Sequence, residues 1–217
     1  MLRFLLTILF ATFVAGPAVA QRVTSCSAAE TAAIETALQD AKALTLRAAV
    51  SIRPTQTYVQ WFGPYTRGNA QDVRAAFKSV LTTIKTGAVR ARCEPLSEET
   101  CASGGYAFVY PTMPYMVHIC PRFFELPTAI ALSQGQSQDE YGTRGGTFIH
   151  ELSHFGLAAD TDDHCYGRSA CGEMAQEVPR LAVKNADSYQ YLAEDLALSV
   201  QVGLAGKPPP AARPVQD

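Results

Sequence analysis

Two histidines and a glutamate within five residues are the side chains of this sequence best suited to chemistry. His150 and His154 are four positions apart, and Glu151 lies between them. On a helix, residues four apart share one face, so both imidazole rings can bind a single metal ion. Glu151 can take a proton from a water molecule on that metal without being a ligand itself. The spacing therefore predicts one Zn²⁺ ion per chain, with Glu151 as the general base.

The residues around the two histidines are apolar, as expected of a helix buried at an active site. They are Phe148, Ile149, Leu152, Phe155 and Leu157. We therefore expect a helix over residues 143–157 that carries both histidines. A catalytic zinc ion has three protein ligands and lowers the pKa of the water in its open position towards neutrality.

Spacing alone leaves the third ligand open among Asp160, Asp162, Asp163, His164, Glu173 and Glu177. Glu173 and Glu177 follow at an interval that some zinc enzymes use, but no supporting motif surrounds them. Asp160 lies six residues after His154, another known interval, yet the glycine that this arrangement needs is replaced by Leu157. His164 and the two remaining aspartates are chemically suitable.

The two ends of the sequence differ in composition from the rest. Residues 1–20 have the features of a secretory signal peptide, with Arg3, an apolar stretch and small residues at 18 and 20. The stretch is short for a membrane span and no second one follows, so we expect a secreted or periplasmic protein without stable membrane insertion. We expect one domain over residues 21–205 and a disordered Pro-rich tail over residues 206–217.

Six cysteines follow the predicted signal peptide: Cys26, Cys93, Cys101, Cys120, Cys165 and Cys171. An even number in an exported chain indicates three disulfides. The chain has 18 Lys and Arg against 20 Asp and Glu, with no basic run. We therefore do not expect nucleic acid as a partner.

Apolar periodicity predicts helices on both sides of a small sheet. Besides the histidine helix, helices are expected over residues 27–49, 69–86, 171–184 and 188–202. Two β segments are expected over residues 106–110 and 115–120, separated by a Pro-containing turn. This pattern is typical of an α+β fold.

One segment after the histidines resembles a known family. Residues 161–167, TDDHCYG, resemble the T-x-D-x-x-Y-G motif of the deuterolysin-type zinc endopeptidases, the aspzincins. Further segments resemble the branch that contains the peptidyl-lysine metalloendopeptidases: Tyr58 with residues 61–63, and residues 106–111, 119–120, 146–147, 153–155 and 185–187. The resemblance covers residues 26–195. It implies a mainly helical, disulfide-stabilised zincin-like peptidase with a small β-sheet beside the active-site cleft.

The resemblance also implies roles for individual residues. His150, His154 and Asp163 correspond to the zinc ligands, Glu151 to the general base, and Tyr166 to the phenol that stabilises the oxyanion. It implies disulfides that join Cys26 to Cys93 and Cys101 to Cys120. Cys165 and Cys171 would then most simply pair with each other. The family's glycine before the threonine is Asp160 here.

What the resemblance implies about function is a secreted zinc endopeptidase, expected as a monomer, that acts on protein or peptide substrates. Lysine-specific members receive the lysine after the cleaved bond in an acidic pocket, whose two positions match Asp187 and Gln190. Gln190 is neutral, so we expect a leaky preference for lysine, unless Asp187 instead orients the metal site. The alternative is a secreted binding or toxin-like protein without turnover, which has no chemical need for Glu151.

Overall fold

The computed structural model describes residues 22–133 and 140–205; the predicted signal peptide (1–20) and Pro-rich tail (206–217) lie outside these ranges. A 3₁₀ helix spans Pro121–Glu125. The other elements are β1 (Val23–Thr24), α1 (Ala28–Ser51), α2 (Gln56–Phe62), α3 (Arg67–Lys85), β2 (Arg90–Cys93), α4 (Glu99–Ala102), β3 (Ala107–Val109), β4 (Met116–Ile119), α5 (Ala129–Ser133), α6 (Arg144–Ser153), α7 (Arg168–Glu177), α8 (Pro179–Ala182) and α9 (Ala186–Ala205). The predicted α+β class is confirmed.

Helices α1, α3 and α9 surround α6, the helix that carries the two histidines. The N-terminus of α1 is fixed by a capping box, because the Ser27 hydroxyl accepts from the Glu30 amide and the Glu30 carboxylate accepts from the Ser27 amide. Its buried face contributes Ile34, Ala41 and Leu44 to the core.

Within the described residues, no helix is both long and apolar enough to cross a membrane.

The sheet has the strand order β1-β2-β4-β3. The first three of these strands are parallel, whereas β3 runs antiparallel to β4 and forms the edge. Val117 and Ile119 of β4 are fully buried in the core. Since β3 also lines a cleft of about 760 Å³, the sheet stands beside that cleft, as the resemblance implied.

The histidine helix is shorter than predicted. It ends at Ser153, with His154 as its C-cap, so the prediction of a helix to residue 157 is wrong. The chain then turns: the amide of Asp160 donates to the carbonyl of Phe155, and Asp160 adopts a positive φ of 52°. Phe155 is buried as expected, but Leu157 lies on this turn and is 80% exposed.

The described part of the chain contains three disulfides, and all three have the expected pairing. They join Cys26 to Cys93, Cys101 to Cys120 and Cys165 to Cys171. The first links the segment before α1 to β2. The third ties the segment after the histidine helix to α7.

Candidate metal centre

The start of α6 is anchored to α9 through a buried carboxylate. Thr143 caps the helix by accepting from the amide of Gly146. Glu194, fully buried on α9, accepts from both the amide and the hydroxyl of Thr143 at 2.8 Å. A side chain at position 146 would collide with Glu194, because a Cβ there would lie 2.0 Å from its Oε1. Glycine is therefore required where the two helices meet.

Hydrogen bonds fix the same tautomer in both histidines. His150 Nδ1 lies 2.6 Å from Asp187 Oδ1, and His154 Nδ1 lies 3.0 Å from the carbonyl oxygen of Thr161. A carboxylate and a carbonyl can only accept, so each Nδ1 carries a proton. Nε2 is therefore the atom of each ring that can bind a metal ion, which displaces any proton held there, and this is the usual arrangement of metal-binding histidines.

Asp163 brings a carboxylate oxygen to both Nε2 atoms. Its Oδ1 lies 3.2 Å from Nε2 of His150 and 3.5 Å from Nε2 of His154. Ligand atoms about 2.0–2.1 Å from a tetrahedral zinc ion are about 3.3 Å apart. The three groups therefore fit a zinc ion, with two nitrogens and one oxygen as donors.

The metal centre is formed by His150, His154, Asp163 and Glu151, and these groups shift one another's pKa values. Burial acts to lower the pKa of His150, but hydrogen bonds with Asp163 and Asp187 outweigh it and raise that pKa well above its usual value. Burial acts to raise the pKa of Asp163, but the hydrogen bond and charge of His150 lower it to about 2. Asp163 is thus a carboxylate at neutral pH, as a metal ligand must be.

Glu151 lies beside the two histidines in a buried position. A carboxylate oxygen of Glu151 is within 4.8 Å of a ring nitrogen of each. Burial raises its pKa to about 7, and the nearby His150 partly opposes this effect. A carboxyl group with this pKa can both accept and return a proton near neutral pH.

Tyr166 lies next to Asp163 at the edge of the metal centre. Its ring lies nearly parallel to that of His150, with 6.4 Å between the ring centres. Burial of the hydroxyl, together with its hydrogen bond to Asp163, raises the pKa of the phenol. Tyr166 is therefore a neutral hydrogen-bond donor, and the residue as a whole is 61% exposed.

The segment with Asp163 is held by Asn185, for which the sequence analysis assigned no role. Asn185 Oδ1 accepts from the amides of His164 and Cys165 at 2.9 and 3.1 Å. Asp162 pairs with Asn185 through its backbone in a short parallel bridge. The only sequence signal was the resemblance of residues 185–187 to the family, which named no hydrogen-bond partner.

Among the described residues, the other candidate ligands form no ion pair with His150 or His154. Asp160 is largely exposed and faces Lys184 at 3.8 Å. Asp162, His164, Glu173 and Glu177 are also exposed. Within the described residues, Asp163 is the carboxylate that forms ion pairs with both Nε2 atoms.

The two positions expected to contact a lysine side chain differ in their surroundings. Asp187 uses both oxygens within the protein: Oδ1 faces His150, and Oδ2 accepts from the amide of Gly167 at 2.8 Å and the Tyr191 hydroxyl at 2.9 Å. Gln190 donates from Nε2 to the carbonyl of Tyr141 at 2.9 Å. Both residues line the cleft.

The cleft has a volume of about 760 Å³ and contains the whole centre. The segment before β3 and β3 itself form one wall, and the segment with Asp163 and Tyr166 forms another.

A network of charged residues behind the metal centre was not predicted from the sequence. Arg168 pairs with Glu194 at 2.5 Å and with Asp195 at 2.8 Å, and it stacks on the ring of Tyr191. Single charged residues that lie 26 and 27 positions apart in the sequence do not indicate that they form an ion pair.

The disulfide beside the centre yields a first prediction. Replacing Cys165 and Cys171 by serine should lower the free energy of unfolding by about 2 kcal/mol, because a short loop loses its cross-link. It should also weaken zinc binding by about tenfold, since the segment with Asp163 is less well positioned. Calorimetry and zinc titration measure the two effects. The Cys26→Ser, Cys93→Ser variant is the control, which should lose stability but keep its zinc affinity; equal zinc affinity in both variants would contradict the positioning role.

Comparison with known proteins adds independent evidence. Residues 47–194 match the aspzincin family, described as lysine-specific metallo-endopeptidase. The peptidyl-Lys metalloendopeptidase of Armillaria mellea is 37% identical over 142 residues, 65% of this chain and 36% of that protein. The protein of the same name from Pleurotus ostreatus is 34% identical over 142 residues, 65% of this chain and 74% of that protein.

A bacterial relative and a solved structure agree with this match. An extracellular protease of Aeromonas hydrophila is 32% identical over 140 residues, 64% of this chain and 36% of that protein. The chain thus spans little more than a third of the Armillaria and Aeromonas proteins. The structure of a zinc peptidase from Grifola frondosa superposes with a TM-score of 0.67 at 26% identity, covering 78% of this chain and 97% of that one. From the fold, the family match and these relatives, we conclude that the chain belongs to the aspzincin family of metallo-endopeptidases.

Proposed function

We propose that this chain is a zinc-dependent endopeptidase that hydrolyses internal bonds of protein or peptide substrates. The observation that carries the proposal is the convergence of two Nε2 atoms and the Asp163 carboxylate beside the buried Glu151. His150, His154 and Asp163 would hold the ion. Zinc at this position supplies a Lewis acid that polarises the peptide carbonyl and makes water more acidic.

Glu151 is the proposed proton carrier. Its carboxylate accepts a proton from the attacking water and then gives it to the nitrogen of the leaving amine. Burial raises the pKa of this carboxyl group and so makes it a stronger base for the first transfer. Because the group is buried, bulk water does not compete for its oxygens.

Tyr166 is proposed to donate a hydrogen bond to the carbonyl oxygen as negative charge develops on it. Tyr166→Phe should therefore lower kcat by about 10- to 100-fold and change KM little, because the bond forms mainly in the transition state. Steady-state kinetics on one fluorogenic peptide measure both constants. Tyr110→Phe, an exposed tyrosine outside the centre, is the control. A rise in KM with unchanged kcat would instead indicate a substrate-binding role.

The edge strand β3 is proposed to align the substrate. It is the last strand of the sheet and lines the cleft. An extended peptide can add to such an edge through backbone hydrogen bonds, which hold the peptide independently of its side chains. This arrangement favours cleavage within a chain.

Export of the protein is also part of the proposal. Three disulfides persist in oxidising compartments, which include the cell exterior and the bacterial periplasm. The name of the Aeromonas relative describes it as extracellular. Both observations agree with the signal peptide expected from the sequence.

Digestion of casein tests the proposed function. The purified zinc-loaded protein should release internal fragments, identified by mass spectrometry, and a chelator should abolish their release. Zinc bound without any fragment would favour the alternative of a secreted binding protein.

We propose that this chain does not select lysine through the two positions that the resemblance assigns to the lysine pocket. The names of the fungal relatives describe them as peptidyl-Lys enzymes. Here Asp187 has both oxygens engaged within the protein, and Gln190 carries no charge. A lysine ammonium would therefore find no free carboxylate at these two positions.

We propose that Asp187 acts mainly by orienting His150. Asp187→Asn should lower zinc affinity by about 10- to 100-fold, because an amide is a weaker partner for the Nδ1 proton. Competition with a chromogenic chelator measures this affinity. Asp160→Asn, at an exposed position, should have no effect. Unchanged zinc affinity in Asp187→Asn with altered cleavage preference would assign Asp187 to the substrate pocket instead.

A further inference from the structure

Arg122 holds its guanidinium group against the wall of the cleft. The group lies over the Tyr106 ring, 4.8 Å from the ring centre. Nη1 donates to the carbonyl of Gly104 at 2.7 Å, and Nη2 donates to the Tyr106 hydroxyl at 3.2 Å. All three residues line the cleft. A stacked guanidinium held by two hydrogen bonds is pre-organised, and its remaining N–H groups can bind a planar anion such as a carboxylate.

The positive charge of Arg122 is only weakly compensated. Glu125 Oε2 lies 3.8 Å from Arg122 Nε, too far for a hydrogen bond, and its side chain is 71% exposed. An exposed pair of this kind contributes little and is screened by salt. Arg122 itself is 43% exposed, so a substrate in the cleft can reach it.

Arg122 is linked to Gln190 through two tyrosines that line the cleft. The ring of Tyr106 contacts the ring of Tyr141, with 5.7 Å between their centres. The carbonyl of Tyr141 in turn accepts from Gln190 Nε2. Among the described residues that line the cleft, Arg122 is the one lysine or arginine. The resemblance assigns position 190 to the pocket for the residue after the cleaved bond.

We propose that Arg122 binds a substrate carboxylate on the C-terminal side of the cleaved bond, so that the cleft selects acidic over basic residues there. This inference rests on the proposed function. The neutral amide of Gln190 and the engaged carboxylate of Asp187 leave Arg122 as a positive charge that only the distant Glu125 carboxylate compensates. The carboxylate belongs either to an aspartate or glutamate side chain or to the C-terminus of a short peptide. A lysine in the same place is repelled.

Binding measurements on the zinc-loaded Glu151→Gln protein test this inference without turnover. The probes are fluorescent ten-residue peptides, blocked at both ends and neutral except for one central residue, which is Glu, Gln or Lys. A fourth probe is the Gln peptide with a free C-terminal carboxylate. We expect the Glu peptide to bind about tenfold more tightly than the Gln peptide, and the Lys peptide to bind most weakly. Tighter binding of the fourth probe would identify the C-terminus as a carboxylate that Arg122 also accepts.

Variants at position 122 assign the effect to this residue. Adding Arg122→Gln to the Glu151→Gln protein should make the Glu and Gln peptides bind equally. The side-chain amide introduced at position 122 can still donate to the carbonyl of Gly104. Arg122→Lys should keep part of the difference, because it keeps the charge but loses the planar fork. Arg90→Gln, on β2 and outside the cleft, should change nothing. High salt should reduce the preference for the Glu peptide.

Two results would overturn the inference: tightest binding of the Lys peptide, or a preference for Glu that survives Arg122→Gln. Cleavage of the neutral Gln peptide by the native protein is followed separately by mass spectrometry. Failure of that cleavage would remove the proposed function, whereas the binding series decides the role of Arg122 in either case. Where the Glu peptide is cleaved, Glu should lie after the cleaved bond.

Discussion

Glu151→Gln is expected to lower kcat by about 100- to 10,000-fold while the protein still binds about one zinc ion per chain. Glutamine has nearly the same shape, so the three proposed ligands keep their positions, but its amide cannot accept the proton of the attacking water. Peptide hydrolysis and zinc analysis on the same sample measure the two properties. Loss of hydrolysis with retention of zinc distinguishes a general base from a metal ligand.

The control for this variant is Glu173→Gln, an exposed glutamate on α7 that should keep full activity. Full activity of zinc-loaded Glu151→Gln would show that another group accepts the proton. Loss of zinc from the variant would indicate that Glu151 is a ligand, which would change the proposed donor set.

Asp163→Ala should lower zinc affinity by more than about 100-fold and abolish hydrolysis at stoichiometric zinc. Removing a direct ligand costs more than removing the hydrogen-bond partner of a ligand, for which the usual loss is about 10- to 100-fold. Asp163 Oδ1 also lies close to both Nε2 atoms, so both histidines lose their shared partner. Zinc titration of the metal-free variant measures the loss.

Asp162→Ala is the matched control for the neighbouring carboxylate. Asp162 is joined to Asn185 through its backbone, which alanine preserves. Alanine removes the acceptor of the Asp163 amide, Asp162 Oδ1, but leaves the Asp163 carboxylate in place. We expect zinc affinity and activity close to those of the native protein. If Asp160→Ala abolished zinc binding and Asp163→Ala did not, the interval of six residues after His154 would be the correct one.

The candidate ligands could be predicted because their chemistry is local. His150 and His154 are one helical turn apart, and the resemblance placed Asp163 nine residues further on. The groups that orient them could not be predicted in the same way. Asp187 lies 37 residues from His150, and Glu194 lies 51 residues from Thr143. Such pairs are set by how α6 and α9 pack, which apolar periodicity does not describe.

The errors in the predicted elements have local and non-local causes. Phe155 and Leu157 continue the apolar pattern, so periodicity extended the histidine helix beyond its end; Gly156 was the available signal for a turn. The helix expected over residues 171–184 is divided, because Pro179 starts a new helix at α8. Strand β2 was missed because it is short, carries two arginines and is held by parallel pairing with the distant β4.

Zinc titration of the metal-free protein is the decisive test of a single catalytic zinc site. Peptide hydrolysis should be absent without zinc, rise in proportion to added zinc and reach its maximum at one equivalent per chain. This result is expected because His150, His154 and Asp163 form one site with three donors. Hydrolysis by the thoroughly metal-free protein, or one bound equivalent of zinc that gives no hydrolysis, would contradict the account.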